Sequence, residues 1–192
     1  MNLILASASP RRRDLIQLID ENAVCIAADI DESVPNYLEP EAAPEFLACK
    51  KALYVAQKHT DSLVIGCDTA VFIDSLMLGK PENEQDAFNM LSLLCGQTHK
   101  VITGCCLVKN KKSMSFSCTS YVKFYDMSES EILEYIKSGE PMDKAGAYGI
   151  QGKGSLFVEK IDGDYFNIVG LPVSLLSKRI KEFLYEDNSQ NL

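Results

Sequence analysis

The stretch "VIGCDTAVFI", residues 64–73, decides how the chain is read. Val64, Ile65, Val71, Phe72 and Ile73 mark a buried strand, because apolar β-branched and aromatic residues suit a pleated surface covered by other layers. Asp68 and Thr69 stand in its middle. A carboxylate in an apolar strand is costly without partners. Either it is set on rigid scaffold because its geometry matters, or it is a structural group bonded to neighbouring loop backbone.

The flanking segments alternate strand and helix. "NLILA" at 2–6 is a second buried strand ended by "SASP". Pro10 suits the first turn of a helix, with Leu15, Ile16, Leu18 and Ile19 as its apolar face. "AVCIAA" at 23–28 is strand-like, and a polar loop covers 29–40. A helix is predicted over about 42–57, with Leu47, Ala48, Ala52, Val55 and Ala56 inward. After the quoted strand, 74–82 hold a turn, a short return segment and a loop. Asn83 is an N-cap for a helix to about Leu94, closed by Gly96. Two long β-like runs, about 98–109 and 114–125, are joined by "KNKKS". Ser128 and Glu131 have capping-box spacing for a helix to Lys137, stopped by Gly139. "MDKAGAYGIQGKG" (142–154) reads as a glycine-rich loop, "SLFVEKI" as a strand, and Val173–Leu184 as the last helix. The pattern predicts an α/β domain over 1–185, built on a long mixed sheet. Two lobes around a central cleft suit its polar loops, and 186–192 form a flexible tail.

The composition narrows the function. With 192 residues and 46% of them hydrophobic, the chain is globular, not disordered. Its net charge of −8 makes it a poor general binder of nucleic acid. The apolar run at the start is short and precedes the arginines, the wrong order for a leader and too short for a membrane span. Seven cysteines, an odd number without C-x-x-C spacing, predict buried free thiols in a reducing cytoplasm. The two histidines are too far apart in sequence to suggest zinc.

Several segments carry groups suited to phosphate chemistry. In "ASASPRRR", Arg11, Arg12 and Arg13 crowd the first turn of a helix, where cations oppose the dipole. The conflict resolves if Ser7, Ser9 and the arginines hold an anion, or if the arginines are solvated and paired with Asp14 or Asp20. Among Asp31, Glu32, Asp68 and Glu82, one or two carboxylates could hold a divalent metal together with phosphate and water. Asp68 could also activate water as a general base. Lys51, four residues from both Leu47 and Val55, lies on the core side of its helix, whereas Lys50 points outward. Lys51 snorkels or reaches a cleft. Lys80, between Gly79 and Pro81, is a second point charge suited to polyphosphate, or a solvated surface lysine. In the glycine-rich loop, Gln151 can read a base edge, unless the loop is a mobile surface segment.

Together, "LILASASPRRRDLI", "DIDES", "CKKA", "GCDTAV", "LGKP", "LCGQTHKVIT", "GEPMDKAGAYGIQGKG" and "GDYFNIVGLP" resemble the Maf family in order and spacing, from about residue 2 to 180. The resemblance implies an inosine-triphosphatase-like fold. It also implies a nucleoside triphosphate pyrophosphatase that cuts between the α- and β-phosphates with a divalent metal, Mg2+ or Mn2+. Asp68 would be the proton acceptor, with Lys51 and Lys80 beside it in catalysis. Arg12, Thr69 and Gln151 would select the base, Ser7 and Arg11 would bind phosphate, and Glu32 with Asp68 would hold the metal. The Gln151 loop resembles the branch acting on dTTP and UTP. A pyrophosphatase for 7-methyl-GTP or another modified nucleotide, and a non-catalytic nucleotide-binding regulator, are the alternatives. The implied partner is a nucleoside triphosphate, with no nucleic acid and no membrane; a homodimer is compatible with the sequence.

Overall fold

The computed structural model describes residues 2–189. The chain begins with β1 (Leu3–Ala6), α1 (Pro10–Ile16), β2 (Val24–Cys25), α2 (Ala43–Ala56), β3 (Leu63–Ile73) and β4 (Leu76–Leu78). It continues with α3 (Glu84–Leu94), β5 (Thr98–Lys109), β6 (Lys112–Phe124), α4 (Glu129–Lys137), β7 (Val158–Asp162), α5 (Tyr165–Val169) and α6 (Val173–Ser189). The seven strands form one mixed sheet in the order β2-β1-β3-β5-β6-β7, with β4 paired to β3. β1 runs parallel to β2 and β3, placing Leu3 opposite Leu63 and Ala6 opposite Gly66. β4 and β7 run antiparallel to β3 and β6.

The local signals account for the helix starts. Ser9 caps α1 by accepting the Arg12 amide, and Pro10 occupies the first turn. Asn83 Oδ1 accepts the Asp86 amide at 2.9 Å. Ser128 and Glu131 complete a reciprocal capping box on α4, which satisfies two otherwise orphaned donors.

The chain divides into two compact units. The first comprises the residues up to Asp68, Thr103–Cys118, and the chain from Gly170 on. Its core packs α2 against β1, β3 and β5 through Ile4, Ala6, Ala48, Ala52, Val55, Val64, Cys106 and Val108. Small residues let the backbones approach closely. A Cβ on Gly66 would collide with the Ala48 carbonyl, so only glycine fits there. The second unit comprises Thr69–Ile102 and Thr119–Val169. Its apolar interior includes Ala70, Phe72 and Ile102, and a chain of edge-on aromatic contacts links His99, Phe124 and Tyr148.

Some expectations need correction. Leu18 lies beyond the end of α1 and is 65% exposed, so it is not part of that helix's buried face. The strand expected over 23–28 is only Val24–Cys25, matching its pairing with Ile4 and Leu5. The segment 140–157 is no open loop: it contains 3-10 turns at Glu140–Asp143, Ala145–Ala147 and Lys153–Phe157, and Gly146–Ile150 are buried. The following strand therefore starts at Val158. α5 was not anticipated. It is tied down by Asn167, whose Nδ2 donates to the Val101 carbonyl (3.0 Å) and Ser120 Oγ (2.9 Å). α6 continues past Leu184 to Ser189, because no glycine or proline interrupts it. The rest of the expected tail, 190–192, lies outside the described residues. Among the described residues no helix is long and apolar enough to cross a membrane.

Candidate active site

In the first unit the polar centre is Lys51. Helical periodicity turns it inward from α2, and it is 9% exposed. Its ammonium lies 2.6 Å from Asp68 Oδ1 and 2.9 Å from Glu32 Oε1. The Asp68 side chain is 16% exposed, whereas that of Glu32 is 59% exposed. Asp68 is therefore the better shielded of the two carboxylates. Burial disfavours the ammonium, but the attraction and hydrogen bonds of Asp68 and Glu32 outweigh it and raise the Lys51 pKa. Lys51 is thus a fixed cation at neutral pH. Its neighbour Lys50 points elsewhere and donates to the Asp31 carbonyl.

The turn after β1 supplies the next groups. Ser7 is buried, and its Oγ accepts the Ser9 amide at 3.2 Å. Ser9 Oγ accepts the Arg12 amide at the start of α1, and both hydroxyls keep an O–H donor beyond these bonds. Arg11 and Arg12 are half-buried on α1. Arg12 Nε donates to the Gly170 carbonyl at 2.8 Å, which sets the plane of its guanidinium. Cys67 Sγ donates to the same carbonyl at 3.2 Å and lies 3.8 Å from Cys105 Sγ. All seven cysteines are free thiols.

The second unit carries the remaining site candidates. Thr69 follows Asp68 directly on β3 and opens this unit. Lys80 is exposed after β4, in a segment anchored where the Gly79 carbonyl accepts the Gly146 amide at 3.0 Å. Gln151 is exposed on the turn between two 3-10 segments. Beneath that turn lies Glu140, which the sequence reading did not single out. Its carboxylate accepts the amides of Lys153 (2.9 Å) and Gly154 (3.2 Å) and the Tyr135 hydroxyl (2.9 Å). The available signal was an acidic residue between Gly139 and Pro141, just before a run of glycines.

A seven-stranded mixed sheet carrying a lysine–carboxylate centre on one strand and helix defines an α/β protein built for polar chemistry. Over 95% of this chain and 99% of the other, the fold matches the structure of the Staphylococcus aureus Ham1 protein, with a TM-score of 0.55 and 13% identity. That likeness bears on the fold and agrees with the inosine-triphosphatase-like class expected from the sequence. Residues 2–183 match the model of the Maf-like proteins, and the chain belongs to the Maf family. It is 45% identical over 181 residues to the dTTP/UTP pyrophosphatase of Bacillus mycoides (strain KBAB4), covering 94% of this chain and 95% of that one. The dTTP/UTP pyrophosphatase of Bacillus cereus (strain B4264) is 44% identical over the same shares.

Proposed function

We propose that this chain hydrolyses nucleoside triphosphates, preferentially dTTP and UTP, between the α- and β-phosphates. Water enters and the products are the nucleoside monophosphate and pyrophosphate. The observation that carries this reading is Lys51 held between Asp68 and Glu32, in a chain of the Maf family. Residues 1–185 act as one catalytic domain in this reading, in the cytoplasm.

Asp68 is the proton acceptor. Lys51 donates to its Oδ1, which orients the carboxylate for taking the proton of the attacking water. A base fixed on a strand loses little entropy in reaching the reactive geometry. Ser7 and Arg11 bind the triphosphate, the arginine as a planar fork suited to phosphate oxygens. Lys51 and Lys80 offset charge on the departing pyrophosphate. Arg12, Thr69 and Gln151 select the base, and a glutamine amide can both donate to and accept from a pyrimidine edge.

The donor set suits a hard divalent cation. Asp68 and Glu32 bring two carboxylates to one point, where both contact the Lys51 ammonium. These two carboxylates would hold Mg2+ or Mn2+, with phosphate and water as the other ligands. When bound, the ion supplies positive charge that polarises the α-phosphate.

The test is pyrophosphate release from dTTP, UTP, CTP, dITP and 7-methyl-GTP, with Mg2+, with Mn2+ and with EDTA, beside Asp68→Asn. The expected result is release from dTTP and UTP that EDTA and Asp68→Asn both abolish. A preference for 7-methyl-GTP would keep the chemistry and overturn the base assignment. Tight binding without turnover would replace the enzyme by a nucleotide-binding regulator.

A further inference from the structure

Glu140 is half-buried at the centre of a tight knot of backbone donors. Oε1 accepts from both the Tyr135 hydroxyl and the Gly154 amide, and Oε2 accepts from the Lys153 amide. The Tyr135 oxygen in turn accepts the Gly149 amide at 3.1 Å. Lys144 Nζ closes the knot by donating to the Glu140 main-chain carbonyl at 2.7 Å. The bonds reach both sides of Gln151: Gly149 before it, Lys153 and Gly154 after it.

The glycines show how closely the turn wraps this carboxylate. A Cβ on Gly152 would collide with both Glu140 oxygens. One on Gly149 would stand 3.0 Å from Oε1 and 2.7 Å from Lys144 Cε, and one on Gly154 would stand 2.7 Å from the Tyr135 hydroxyl. Burial raises the carboxyl pKa, but the amides of Lys153 and Gly154 and the Tyr135 hydroxyl outweigh it and keep the group ionised. An anion wrapped by main-chain amides is a rigid pedestal for the residue at the top of the turn.

We propose that Glu140 is a positioning residue for base selection: its carboxylate holds the 149–154 turn in the one conformation that aims Gln151 at the pyrimidine. This rests on the proposed function, in which Gln151 reads the base. Glutamine cannot replace Glu140. Its carboxamide has one acceptor oxygen, and its NH2 would face a backbone N–H on one side.

The experiment compares wild type, Glu140→Gln, Gln151→Ala and the double variant on dTTP and CTP. Amide hydrogen exchange is followed in the same samples. In Glu140→Gln, KM for dTTP should rise about tenfold with kcat within about twofold, because ground-state base contacts are lost while the phosphate chemistry is kept. The preference for dTTP over CTP should fall by a similar factor. Exchange at Gly149, Lys153 and Gly154 should speed up at least about tenfold. The double variant should discriminate no worse than Gln151→Ala, since both changes remove one device. Unchanged discrimination in Glu140→Gln, or losses that add in the double variant, overturn the proposal. Should Glu140→Gln fail to fold, Tyr135→Phe decides by the same readouts, because it removes the hydroxyl linking Gly149 to Oε1. Wild-type enzyme that turns over neither dTTP nor UTP sinks the functional reading and the selectivity claim with it, while the exchange data still report whether Glu140 holds the turn.

Discussion

The ammonium of Lys51 lies 2.6 Å from Oδ1 of Asp68, and neither side chain is more than 16% exposed. A charged pair this well shielded is worth more to orientation than an exposed one, because little water competes for it. Replacing the lysine by methionine keeps the length of the stem and removes the charge. On the proposed function, in which Lys51 offsets charge on the departing pyrophosphate, Lys51→Met should lower kcat by about 100-fold or more. Steady-state pyrophosphate release measures this, and a retained far-ultraviolet circular dichroism spectrum separates it from unfolding.

His99 supplies a pH-dependent term in stability. It is 1% exposed, and its Nε2 lies 2.8 Å from the Tyr148 hydroxyl. Burial lowers its pKa from 6.5 to about 4. The folded value is below the unfolded one, so the unfolded chain binds the extra proton first as pH falls. The contribution is fully present above about pH 6.5 and is lost as pH falls toward 4. The full difference corresponds to about 3 kcal/mol. Urea unfolding at pH 7 and pH 5 should show a clear loss for wild type, and His99→Gln should flatten it.

Gly66 tests the close packing of α2 on β3. A Cβ there would meet the Ala48 carbonyl, which is backbone and cannot swing aside. Gly66→Ala should cost about 3 kcal/mol through overpacking. For a chain of this size that lowers Tm by about 10 °C, measurable by calorimetry. A change under about 2 °C would show that the helix backbone shifts to make room.

Much of the molecule was legible one segment at a time. Asn83 and Ser128 announce their helices because the capping bond spans only three residues. The inward direction of Lys51 followed from its spacing to Leu47 and Val55, since both lie one helical turn away. Asp68 drew notice because a carboxylate interrupts an apolar strand. These signals are local, and the sequence determined them by itself.

Tertiary structure decided which groups meet. Nothing in the local pattern says that the Lys51 ammonium takes both Glu32 and Asp68, because those residues come from a loop and a strand that only the fold brings to α2. Glu140 carried no signal of its own in the sequence, standing between Gly139 and Pro141 before the glycine-rich loop. Its bonds to Lys153 and Gly154 close across thirteen and fourteen residues and turn that loop into compact 3-10 segments. α5, only five residues long, holds its place through Asn167 bonds to Val101 and Ser120, more than forty residues away in sequence. Local sequence sets propensity and the direction of each face. The partners of buried charges and amides are chosen only when the chain closes and each such group must be satisfied away from water.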